Sequence, residues 1–89
     1  MKLYEFFLVE HNGEQEYTHY QLVRAKTENA AHKKAQKYAR GFYSTRDVKE
    51  IKDSIFEFFG GKITVIFYFL GETTEIYQKE KMFQNALID

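Results

Sequence analysis

Eighty-nine residues without a cysteine leave no room for a second sizeable domain, a disulfide framework or a thiolate-bound metal, so one domain spanning 1–89 has to hold together by burial alone. Thirteen bases balance thirteen acids, which removes the global positive charge that marks many nucleic-acid-binding proteins. Nine Phe and seven Tyr, with no Trp and no Pro, supply the burial, because each large ring covers roughly 150 to 250 Å².

Glu5 interrupts the apolar run that a secretory signal needs, and the longest apolar run, Ile63 to Leu70, is far shorter than the roughly 20 residues that span a bilayer. The expectation is a soluble, cytoplasmic chain with no membrane partner. The charges are unevenly placed. Arg24, Lys26, Lys33, Lys34, Lys37 and Arg40 face a single acid, Glu28, between positions 24 and 40, while Glu5, Glu10, Glu14 and Glu16 make the start of the chain acidic.

In chain order, Leu3 to Val9 and Tyr17 to Val23 are β-rich and flank Asn12-Gly13, the dipeptide best suited to a two-residue type I′ hairpin. With Asn12 and Gly13 as the loop, Phe6 faces His19 and Leu8 faces Tyr17; a slip of one residue would exchange the faces of the whole strand. Thr27 reads as a helix N-cap, Glu28 as a first-turn acid and Gly41 as the residue just past the helix end. At 100° per residue, Ala31, Ala35, Tyr38, Ala39 and Phe42 share one arc, which predicts a helix laid closely on a sheet.

Residues 43–53 read as a connection with at most one helical turn. Ser54 to Phe59 and Lys62 to Leu70 flank Gly60-Gly61, a second hairpin in which Phe58 opposes Ile63 and Phe56 opposes Val65. One face of that hairpin, with Phe56, Phe58, Ile63, Val65, Phe67 and Phe69, is predicted core. Thr74 can cap a final helix over 75–88. The expected fold is α+β in the order ββαββα: a two-layer sandwich of a four-stranded antiparallel sheet with both helices on one face.

Two surfaces could carry a function. Opposite the alanine arc, Lys26, Lys33, Lys37 and Arg40 cluster, with Lys34 and His32 at the margins. Such a face can track a phosphate backbone, and it is also what any helix on a sheet shows to water. The absence of an acid after Glu28, where a merely solvated helix usually mixes Glu with Lys, sets it apart.

The second surface is the sheet face away from the helices. From the first hairpin it takes either Leu3, Phe7, Val9, Tyr20 and Leu22 or Tyr4, Phe6, Leu8, Tyr17 and Val23. Ile55, Phe59, Ile66, Tyr68 and Leu70 add to it. An apolar patch of that size suits a homodimer or partner-protein interface, a stacking platform for single-stranded nucleic acid, or a packing that buries more of the sheet. Glu5, Glu16 and Glu57 on or near this face disfavour phosphates.

His11, His19 and His32 lie on different elements without metal-ligand spacing. No nucleophile elbow, Walker loop or dinucleotide fingerprint is present, so neither an enzyme nor a cofactor or metal is expected. The sequence therefore points to a small non-enzymatic interaction module that dimerises or docks a protein partner through its aromatic outer sheet face, with Tyr20, Leu22, Ile66, Tyr68 and Leu70 as contact residues. The alternatives are nucleic-acid binding by the basic helix (Lys26, Lys33, Lys34, Lys37 and Arg40) and a phage-type or accessory inhibitor of a nucleic-acid-handling machine.

Overall fold

The computed structural model describes residues 2–73 and 87–88. Two long strands open the chain, β1 (Lys2–Asn12) and β2 (Gln15–Ala25), followed by helix α1 (Glu28–Arg40) and by strands β3 (Val48–Lys52), β4 (Ile55–Phe58) and β5 (Ile63–Glu72). A two-residue strand, β6 (Leu87–Ile88), runs parallel to β2. The sheet order is β3-β4-β5-β1-β2-β6, and β1 to β5 form one antiparallel sheet. The class is α+β.

The first hairpin turns at Gly13-Glu14, because Asn12 pairs with Gln15. Phe6 therefore opposes Gln21 and Leu8 opposes His19, a shift of two residues from the Asn12-Gly13 expectation. Gly13 has φ +79° and no positive φ occurs at Glu14, the pattern of a type II′ turn, which takes glycine at its first central position. An even shift preserves side-chain faces, so the pleat is unaffected. The second hairpin has the expected register, Phe58 opposite Ile63 and Phe56 opposite Val65. Its loop is wider than two residues, since Phe59, Gly60 and Gly61 all take positive φ, but it keeps the same centre.

Residues 48–52, expected as part of a connection, form the edge strand β3 instead. Val48, Ile51 and Ile55 are spaced as on one face of a helix, but they fall on β3, on its bulge and on β4: the register shifts between Glu50 and Lys52, around Ile51, before the Asp53-Ser54 turn. The final helix expected over 75–88 lies outside the described residues except at its end, where Leu87 and Ile88 are strand rather than helix. The four-strand, two-helix count is thus replaced by five antiparallel strands and one helix among the described residues, none of whose helices is long and apolar enough to cross a membrane.

Helix α1 starts as its cap predicts, with the Ala30 N–H donating to Thr27 Oγ1 at 3.1 Å and Glu28 in the first turn. At the other end, Gly41 donates its N–H to the Lys37 carbonyl at 3.0 Å; its φ of −92° is open to any residue, so glycine's left-handed freedom is not used. Ala31, Ala35 and Ala39 are fully buried. They let the helix backbone approach Tyr4, Phe6, Leu8, Val23, Phe56, Phe58, Val65 and Phe67, which form the core with them. Tyr38, Phe42, Ile63 and Phe69 close its margins. The first hairpin's choice of faces is thereby settled: Tyr4, Phe6, Leu8 and Val23 point to the helix, and Leu3, Phe7, Val9, Tyr20 and Leu22 point away.

Candidate outer-face interface

On the face away from α1, registry across three strands lines up Tyr20 of β2, Phe7 of β1 and Tyr68 of β5. Their rings form a continuous row, with Phe7 4.8 Å from Tyr68 in a stacked arrangement and 5.5 Å from Tyr20. Aromatic pairs at these spacings attract one another beyond their burial, so the row is held in place before anything binds it. It is nevertheless open: Tyr20 is 42% and Tyr68 44% exposed. The adjacent rank of outward residues, Thr18, Val9, Ile66 and Ile55, is aliphatic at its centre.

Leu70 is 51% exposed for a specific reason. Phe6 pairs with Phe69 and Glu5 with Gly71, so Leu70 is the extra residue of a β-bulge. Gly71 follows at φ +108°, where a side chain would be strained; the bulge needs that glycine. Of the five predicted contact residues, Tyr20, Ile66, Tyr68 and Leu70 lie open or half-open on this surface. Leu22 does not. It points to the same side but is fully buried, with Leu3 and Glu5 buried beside it, so that end of the face is closed and the expectation for Leu22 is corrected. Phe59 also leaves the patch: its left-handed backbone turns the ring against Tyr43, 5.6 Å away, and Phe58.

The open end of the face finishes in a polar rank. Lys49, Glu57, Thr64, His11 and Glu16 follow one another across β3, β4, β5, β1 and β2. His11 Nδ1 lies 3.5 Å from Glu16. Lys49 and Glu57 are directly opposed, yet among the described residues neither makes an ion pair. An apolar centre bordered by charge is the anatomy of a protein interface.

The basic helix is only partly as expected. Lys26, Lys33 and Lys37 are exposed and, among the described residues, have no ionic partner. Lys34 instead donates to the Arg24 carbonyl at 2.9 Å, a structural contact that ties α1 to β2. Arg40 lies 3.6 Å from Glu50 of β3, so an acid that the helix lacks is supplied by the neighbouring strand. Lys33, Gln36, Lys37, Arg40 and Glu50 line a shallow groove of about 360 Å³. His32 turns inward, its ring 5.1 Å from Phe67 and 5.2 Å from Phe69.

One cluster was not foreseen. Glu10 is buried on the helix side of β1, where its Oε1 accepts from His19 Nε2 at 3.0 Å and its Oε2 accepts from the Tyr43 hydroxyl. An ionised carboxylate only accepts, so Nε2 of His19 carries a proton. Burial and the adjacent Glu10 push the Tyr43 phenol up to about 12. The cluster pins the segment after α1 to the sheet. Among the described residues, no group of three or more His, Cys, Asp or Glu could hold a metal ion.

Compared with known proteins, the chain matches no family model, no curated protein and no solved structure.

Proposed function

We propose that the chain is a non-enzymatic docking module that takes a protein surface on its outer sheet face. The observation that carries this reading is the row Tyr20–Phe7–Tyr68, three packed rings across β2, β1 and β5, with the half-buried Phe7 between two exposed tyrosines. Aromatic residues are enriched in interface cores, and pre-ordered rings lose little freedom on binding. Glu16 and Glu57, on the same face, argue against a stacking platform for nucleic acid.

A photo-reactive amino acid placed at position 68 tests the proposal in cells that produce the protein. The expected result is a discrete adduct that excess wild-type protein competes away and excess Tyr68→Glu protein does not. A reactive group at position 33, on the helix, serves as control. Absence of any competed adduct at position 68 overturns the reading.

A second reading, polyanion binding by α1, is favoured by one observation: two exposed lysines, Lys33 and Lys37, line a groove and have no ionic partner among the described residues. The engagement of Lys34 and Arg40 elsewhere leaves it the smaller claim. It predicts retention on heparin at low salt that falls steeply as salt rises and disappears in Lys33→Glu/Lys37→Glu. Wild-type protein that passes through unretained ends this reading.

A further inference from the structure

From the arrangement of the outer face, and resting on the docking reading above, we infer that the occupant is a second copy of this chain, packed face to face about a two-fold axis that lies along β5. The argument is the order of charges in the polar rank. Read across the sheet it runs Lys49, Glu57, Thr64, His11, Glu16. A two-fold axis along β5 reverses the order of strands while keeping each residue at its level. It sets Lys49 over Glu16 of the other copy, Glu57 over His11, and Thr64 over itself. Every charged position meets a group of opposite sign or one that becomes so on protonation.

The next rank obeys the same operation. Lys52, Ile55, Ile66, Val9 and Thr18 lie at one level, so Ile55 meets Val9 and Ile66 meets itself, apolar on apolar. One level further on, β3 and β4 have ended at the Asp53-Ser54 turn, while β5, β1 and β2 carry Tyr68, Phe7 and Tyr20. The step left beyond that turn is where the axis brings the other copy's Phe7 and Tyr20, a ridge of rings against a shortened hairpin. A two-fold axis in the interface perpendicular to the strands and passing through the Val9–Ile66 level would instead lay the charged rank over the Tyr20–Phe7–Tyr68 row, charge on rings.

Two further observations agree. Lys49 and Glu57 make no ion pair among the described residues, so neither charge is answered there. The formal net charge is zero, and identical copies approach without net repulsion. An interface of this kind is isologous, so each contact occurs twice.

Mixing charge-reversed chains gives a test that only an intermolecular pair can pass. Sedimentation equilibrium is expected to show wild-type protein self-associating at high micromolar concentration. Lys49→Glu and Glu16→Lys, each alone, place like charges opposite one another at two sites and are expected to weaken the dimer roughly tenfold. An equimolar mixture of the two variants re-pairs both sites and is expected to recover wild-type association to within a few-fold. Circular dichroism verifies that both exposed substitutions leave the fold intact. A mixture no tighter than either variant alone overturns the inference. A strictly monomeric wild type also overturns it, and if the position-68 cross-linker still captures a competed adduct, the docking reading survives with a foreign protein as occupant.

Discussion

Phe6→Ala is expected to lower stability by about 3 to 5 kcal/mol, the usual range for emptying a buried ring site. Phe6 is fully buried on β1, which pairs with both β2 and β5. Its ring lies edge-on to Tyr38 of α1 at 6.0 Å and to Phe67 of β5 at 6.4 Å. It therefore joins the helix to the sheet at the middle of the core. Small chains are marginal: at roughly 0.05 to 0.15 kcal/mol per residue, a chain of this length holds about 4 to 13 kcal/mol in total. The site cannot collapse easily either, because the helix already approaches as closely as Ala31, Ala35 and Ala39 allow. Urea denaturation followed by far-UV circular dichroism should show the midpoint falling by roughly a quarter or more, or the variant unfolded in buffer. A shift equivalent to less than 1 kcal/mol would mean that this packing is not what holds α1 to the sheet.

The second large effect is at Glu10 and Tyr43. Tyr43→Phe removes a charge-assisted hydrogen bond from the buried Glu10 carboxylate and leaves it the contact with His19, which is expected to cost about 2 kcal/mol near neutral pH. The same contact has a pH signature. The phenol is raised from its ordinary value of 10 to about 12 in the fold, so the folded state binds the proton more tightly than the unfolded chain. The stabilisation is complete below pH 10 and is lost as pH climbs through 12. Wild-type protein should lose stability across that window more steeply than Tyr43→Phe, and the two curves should converge at its upper end. Parallel curves would show that Tyr43 is not hydrogen-bonded to Glu10 in solution.

How much of this could be read in advance depends on local signals. The helix was legible from Thr27 through the alanine arc because capping and 3.6-residue periodicity are local. The second hairpin was legible because Gly60-Gly61 marks its centre whatever the loop width. At the first hairpin the turn chemistry allowed both Asn12-Gly13 and Gly13-Glu14, and the structure takes the latter. Faces survived that two-residue shift, but cross-strand neighbours did not. With β1 and β2 correctly aligned, His19 becomes the diagonal neighbour of Glu10 on the helix side, within reach of its carboxylate. The Glu10–His19–Tyr43 cluster was hidden by that shift and by the distance to Tyr43 in sequence. Strand β3 was missed because Val48, Ile51 and Ile55 are spaced as on a helix, although they fall on β3, its bulge and β4.

At the candidate interface, the row of rings was visible residue by residue but not as a row. Pairing of β1 with β5 brings Phe7 to Tyr68, and no local pattern specifies which strands of two hairpins meet. The burial of Leu22 was equally hidden, since alternation along β2 assigns it a face but not a cover. The acid-free helix face was a true property of α1, yet Glu50 approaches it from a strand that had not been foreseen.

The outer-face account is tested most directly by its tyrosines. Tyr17 and Tyr20 lie three residues apart on β2 and are exposed to nearly the same extent, 44% and 42%, but on opposite faces, with Tyr68, 44% exposed, on the same face as Tyr20. Hydroxyl-radical labelling of the protein in cells that produce it, compared with dilute purified protein, should show Tyr20 and Tyr68 protected several-fold while Tyr17 is labelled equally in both. Equal labelling ratios at all three tyrosines in both settings would contradict a docked outer face.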